Sequence, residues 1–179
     1  AAFGCGVDEP PREERAVNQL TAELAPVVAA NSAFALDLYG RVASGDGGNL
    51  FMSPFSISSA LGMTYAGARG DTAAEMKKVL KVPGDGGAFH TGVGALCRDL
   101  DGDKGRGYTL QIANRLFGQQ GFPFEQPFLN ITSNDYGAGL APLDFASNPE
   151  AARSSINGWV ADKTEQLIDE LFAPGSIDS

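Results

Sequence analysis

The sequence predicts an α+β domain, and three observations carry that prediction. Residues 49–80, NLFMSPFSISSALGMTYAGARGDTAAEMKKVL, read as two consecutive helices, each with its own capping signal. Apolar residues recur at three and four spacing over 27–42, 89–100 and 152–167, the mark of amphipathic helices packed against a core. Residues 108–117 alternate in the strand manner, and 140–145 read as a second strand. A chain of 179 residues, 43% of them hydrophobic, is large enough to bury a core.

The elements follow in order. Residues 1–24, with the run DEPPREER, read as a flexible acidic linker. Val27, Asn31, Phe34, Leu38 and Val42, flanked by Val28, Ala35 and Tyr39, then share a helix that the glycines of 45–48 end. Ser53 is placed as an N-cap and Pro54 as the first helical residue, where its missing N–H costs nothing. Phe55, Ile57, Ala60, Leu61, Met63 and Tyr65 make this helix apolar on nearly every face, so it is expected inside a large protein. Gly70 ends the run, Thr72 and Glu75 form a capping box, and Lys77, Lys78 and Lys81 suit the negative end of the next helix. Cys97 shares a stripe with Phe89, Val93, Leu96 and Leu100 and reads as a buried free thiol.

Tyr108, Leu110, Ile112, Asn114 and Leu116 lie on one face of a predicted strand. Asn114 is then a buried polar residue in need of partners, or a solvated residue at a bulge. Glu125–Tyr136 reads as a short helix and Leu140–Phe145 as a strand, which Pro142 assigns to a sheet edge. Asn148 and Pro149 open a last helix, to about 168, with Ala152, Ile156, Trp159, Val160 and Leu167 on one side. Gly158 sits in its middle at a cost of about 1 kcal/mol relative to alanine.

The pattern N-x-F-x-S-P-x-S-I-x-x-A-L-x-M-x-Y-x-G-A-x-G-x-T-x-x-E-M, from Asn49 to Met76, resembles the serpins, the serine protease inhibitor family. FALDLYGRV is similar to the first long serpin helix, and ANRLFGQ to a strand entering the large central sheet. INGWVADKTEQLIDELFAPGSID is similar to the helix that crosses the front of that sheet, with its descending loop. The resemblance implies a serpin fold of mixed helices and sheets. Residues 25–179 would be the N-terminal half of the domain: its helical region, the first strands of the large sheet and the covering helix. The reactive loop would lie beyond them.

The same resemblance implies a serine-type endopeptidase inhibitor, not an enzyme, that is monomeric at full length. A target serine or cysteine protease would cleave the loop, which then inserts into the large sheet and traps the covalent acyl-enzyme. The alternative is a non-inhibitory serpin-fold binding or structural protein. Ser53 and Ser56 match the shutter region beneath the central strands, a role compatible with capping. Arg98 is the lone basic residue on the helix where some serpins bind heparin, which argues against a polyanion partner. Gln166 stands where the family usually has a glycine.

Other chemistry finds little support. Thirteen basic against twenty-two acidic residues, a net charge of −9, disfavour nucleic acid and anionic membranes as partners. His90, the single histidine, has no motif around it and reads as a surface or half-buried structural residue. Motifs for a nucleophile elbow, a zinc site or a phosphate loop are absent, and no cofactor or metal is expected. Asp99, Asp101 and Asp103 alternate as in a calcium loop, but no glutamate closes the set. Asn130-Ile131-Thr132 is a glycosylation sequon. AAFGCG resembles the end of a bacterial lipoprotein signal, with Cys5 as the lipidated residue; the other reading is an inert thiol in a floppy tail. The expected location is therefore extracellular or secreted, with a lipid anchor on a bacterial envelope as one form of it.

Overall fold

Eight elements follow one another in the computed structural model, which describes residues 12–45, 48–102, 105 and 107–177. The second of them shows how local chemistry sets the frame: α2 spans Pro54–Gly67 and starts on the predicted cap, Ser53, whose Oγ accepts from Ser56 N at 3.3 Å. Around it lie α1 (Arg12–Ala43), α3 (Gly70–Val79), α4 (Gly87–Leu100) and α5 (Gln126–Tyr136). The strands β1 (Leu116–Gln119) and β2 (Leu140–Leu143) and the helix α6 (Pro149–Lys163) complete the order.

The core sits where α1, α2, α4 and α5 meet. Val27 and Phe34 of α1 pack with Met63, Phe89, Val93, Cys97 and Tyr136, and Leu80 and Val82 close one side. Cys97 is the buried thiol expected of it. Two glycines permit the close approach of helices. A Cβ on Gly62 would lie 2.6 Å from the Tyr136 hydroxyl, and one on Gly94 would strike the backbone carbonyl of Asp135.

β1 and β2 pair in parallel, Leu116 opposite Leu140 and Gly118 opposite Pro142, so both are edges among the described residues, as Pro142 requires. Trp159 of α6 meets the Phe117 ring edge-on at 5.7 Å, which seats α6 on β1.

Several boundaries differ from expectation. The helix predicted from Val27 begins at Arg12, inside the expected linker of 1–24, because REERAVNQLTAEL is rich in strong helix formers. Residues 1–11, Cys5 among them, lie outside the described residues. α3 begins at Gly70 with Arg69 as its cap residue, so Thr72 lies inside the helix and makes no cap. Arg69 Nη1 instead donates to the carbonyls of Ala66 (3.2 Å) and Ala68 (2.7 Å), satisfying the end of α2 and setting the start of α3. Lys81 serves less as a dipole partner than as a tie to α1, 2.6 Å from Asp37.

The strand expected over 108–117 shrinks to Leu116–Gln119, since only a bridge between Gly102 and Leu110 pairs the stretch before it among the described residues. α6 stops at Lys163 rather than near 168, because Glu165 and Gln166 adopt φ of +51° and +63° and turn the chain back. α2 is less enclosed than its composition suggests: Ser59, Gly62, Met63 and Ala66 are buried, whereas Ile57 and Leu61 stay partly open and Phe51 before it is fully exposed.

Candidate functional site

The N-terminal end of α2 brings together the two serines singled out from the sequence. Pro54 fixes the first helical residue, and the turn it starts places Ser53 Oγ 2.8 Å from Ser56 Oγ. Both hydroxyls are exposed, so the pair can exchange hydrogen bonds with an incoming group at little steric cost. Two residues on, Ser58 Oγ donates to Asn31 Oδ1 at 2.7 Å and ties α2 to α1. The exposed apolar residues Leu50, Phe51, Ile57 and Leu61 share this end and flank of α2.

Asn114 is not the buried strand residue expected. It is half-buried, lies two residues before β1, and lines a cavity of about 850 Å³ with Trp159, Ile112 and Tyr136. The alternation that predicted a strand needed a neighbouring strand, and 111–115 pairs with none among the described residues; the Ile112 amide donates to Asp101 Oδ1 instead, at 2.9 Å. Asn130 is exposed on α5, where its Oδ1 accepts from Gln126 Nε2 at 2.8 Å. Thr132, the third residue of the sequon, is fully buried and donates to the carbonyls of Phe128 and Leu129.

His90 departs furthest from its expectation. It is 5% exposed, with Nδ1 2.7 Å from the Tyr136 hydroxyl and its ring stacked on Tyr65 at a centroid distance of 5.5 Å. Phe89 and Tyr136 meet it edge-on. Burial lowers its pKa, opposed by the charge of Asp135, and burial also pushes the Tyr136 hydroxyl up. This is a neutral histidine that fills a three-helix junction. Its place three residues before Val93 and seven before Cys97, on the buried face of α4, was the signal that could have placed it inside. Among the described residues no group of three or more His, Cys, Asp or Glu side chains could hold a metal ion. No helix among them is long and apolar enough to cross a membrane.

A second cluster escaped the sequence reading. Glu150, Arg153 and Asn157 lie along one face of α6 at three and four spacing, and all three bond the backbone of 171–175. Asn157 is 8% exposed. No local pattern announces such a row, because its partners are backbone groups some fifteen to twenty-five residues away.

The family described as Serpin (serine protease inhibitor) matches residues 29–179. The chain belongs to the serpin family. It is 47% identical over 152 residues to the leukocyte elastase inhibitor of Bos taurus, covering 84% of this chain and 40% of that protein. It is 43% identical over 151 residues to Serpin B6 of Macaca fascicularis, covering 83% and 40%. Among solved structures, ovalbumin from emu (Dromaius novaehollandiae) superposes with a TM-score of 0.77 at 26% identity, over 86% of this chain and 43% of that one. The chain thus spans 40% of the length of these two relatives.

These relatives correct the expected location. A secreted, extracellular or bacterial-envelope protein, lipid-anchored through Cys5, is not what the similarity supports. The chain sides with leukocyte elastase inhibitors and Serpin B6 of mammals.

Proposed function

We propose that the complete protein carrying this chain inhibits a serine protease by loop insertion and covalent trapping. The observation that carries this reading is the 47% identity to a protein named for inhibiting leukocyte elastase, sustained over 84% of the chain. An elastase-like protease is therefore the first target to test. The protease serine attacks the loop carbonyl, the amine side of the scissile bond leaves, and an ester joins enzyme to inhibitor. Insertion of the cleaved loop as a new strand then carries the protease away and distorts its active site before water can hydrolyse the ester. In this reading the complete protein acts as the trap, and the protease supplies the catalytic groups.

Residues 1–179 contribute the parts that let the sheet open. The Ser53–Ser56 hydroxyl pair offers exchangeable hydrogen bonds at the end of α2, and α6, seated on β1 through Trp159, is the element that must yield. The energy source is a two-state fold in which the inserted form has the fuller strand ladder.

The test is incubation of the complete protein with an elastase-like, a chymotrypsin-like and a trypsin-like protease. A complex that survives boiling in detergent is the expected product, together with a sharp rise in thermal stability once the loop is cleaved. Absence of a covalent complex with all three, and cleavage without stabilisation, would favour the non-inhibitory binding or structural role instead.

A further inference from the structure

The segment after α6 is held in an unusual way. Glu165 and Gln166, both with positive φ, reverse the chain, and residues 167–176 fold back along the helix. Their apolar side chains hold them only at one point: Leu167 is 87% exposed, Ile168 and Leu171 are also open to solvent, and Phe172 alone among them is partly buried. Side chains of α6 take that part instead. Asn157 uses both ends of its amide: Nδ2 donates to Phe172 O at 2.9 Å, and Oδ1 accepts from Leu171 N at 3.1 Å and Phe172 N at 3.0 Å. Arg153 Nη1 donates to the same Phe172 carbonyl at 2.9 Å and to Glu170 Oε1 at 3.1 Å, while its Nε reaches Glu150 Oε2 at 2.7 Å. Glu150 Oε1 accepts from Gly175 N at 2.7 Å.

Three consequences follow from this geometry. The amides of Leu171, Phe172 and Gly175 are protected by side chains of one helix rather than by a backbone ladder. Arg153 joins two carboxylates and a carbonyl, so loss of one partner leaves the others poorly compensated. And because Phe172 is the one apolar side chain of 167–176 that is partly buried, the segment can part from α6 without opening the main core.

We infer that residues 167–176 are a strap latched to α6 by Glu150, Arg153 and Asn157, so that strap and helix move together when the latch holds and α6 is freed when it opens. The inference rests on the inhibitor reading only in what the release achieves: an unlatched α6 yields more readily to an inserting loop.

Hydrogen exchange on the complete protein tests the latch without any protease. The amides of Leu171, Phe172 and Gly175 should be protected in the wild type. Asn157→Ala should speed exchange at Leu171 and Phe172 roughly tenfold or more, and Glu150→Ala should do the same at Gly175, while mid-helix amides of α6 keep their rates. Unchanged exchange in both variants overturns the latch. With an elastase-like protease, both variants should also divert more inhibitor into the covalent complex and less into cleaved product. A freed strap with an unchanged partition overturns the link to insertion. A wild type that traps no protease refutes the inhibitor reading, while accelerated exchange in the variants still supports the latch.

Discussion

Replacing Gly94 with alanine should be among the most damaging single-methyl changes in this protein. A Cβ built there lies 2.9 Å from the Asp135 carbonyl carbon and 3.0 Å from its Cα, and closer still to the oxygen. All three are backbone atoms of α5, so no rotamer change can make room. The α4–α5 contact must open by an amount that also disturbs the His90–Tyr136 hydrogen bond between the same two helices. Overpacking of this kind costs about 1–3 kcal/mol, from which the better helix propensity of alanine returns about 1 kcal/mol. Gly158 is the internal control, since a Cβ there meets nothing within 4 Å. Gly158→Ala in α6 should stabilise by about 0.5–1 kcal/mol. Urea denaturation of the complete protein, wild type and both variants, reads the difference in midpoints at constant slope. If Gly94→Ala is as stable as Gly158→Ala, the close helix contact is wrong.

Three further outcomes are expected. Burial lowers the His90 pKa below its ordinary value of 6.5, so the unfolded chain takes up that proton first. Stability should be constant in this term above pH 6.5 and fall as pH drops from there toward the folded value, and His90→Phe should flatten that limb in urea midpoints taken from pH 7.5 to 5. Tyr65, Tyr136 and Asp135 surround the ring, and only the Asp135 charge opposes the effect. Ser53→Ala removes the α2 cap and should cost about 1 kcal/mol, whereas Ser53→Asp should retain most of it. Gln166→Gly relieves an L-residue held at φ +63°; thermal unfolding should shift upward, and a clear downward shift would show that the Gln166 side chain contributes more than its backbone costs.

What the sequence by itself determined was local. Ser53 and Pro54 place a helix start through their own bonding and dihedral limits, and the three- and four-spaced stripe from Phe89 to Leu100 puts Cys97 inside without knowledge of any partner. The family pattern from Asn49 to Met76 is equally local, which is why a stretch of that length sufficed to suggest the class. Tertiary structure decided whatever depends on a distant partner. Residues 108–117 alternate like a strand, yet a strand exists only where a neighbour supplies hydrogen bonds, and among the described residues a ladder forms only at Leu116–Gln119, with a single bridge at Leu110. His90 is neutral and buried because Tyr65, Phe89 and Tyr136 enclose it from three helices. Asn157 carries no signal of its role, since its amide bonds backbone groups that only the reversal at Glu165 and Gln166 brings within reach. Helix caps and amphipathic faces are written within a few residues, where chain entropy leaves little choice. Sheet pairing, polar burial and the strap depend on contacts across tens of residues, and their free energy is set by the fold that closes those loops.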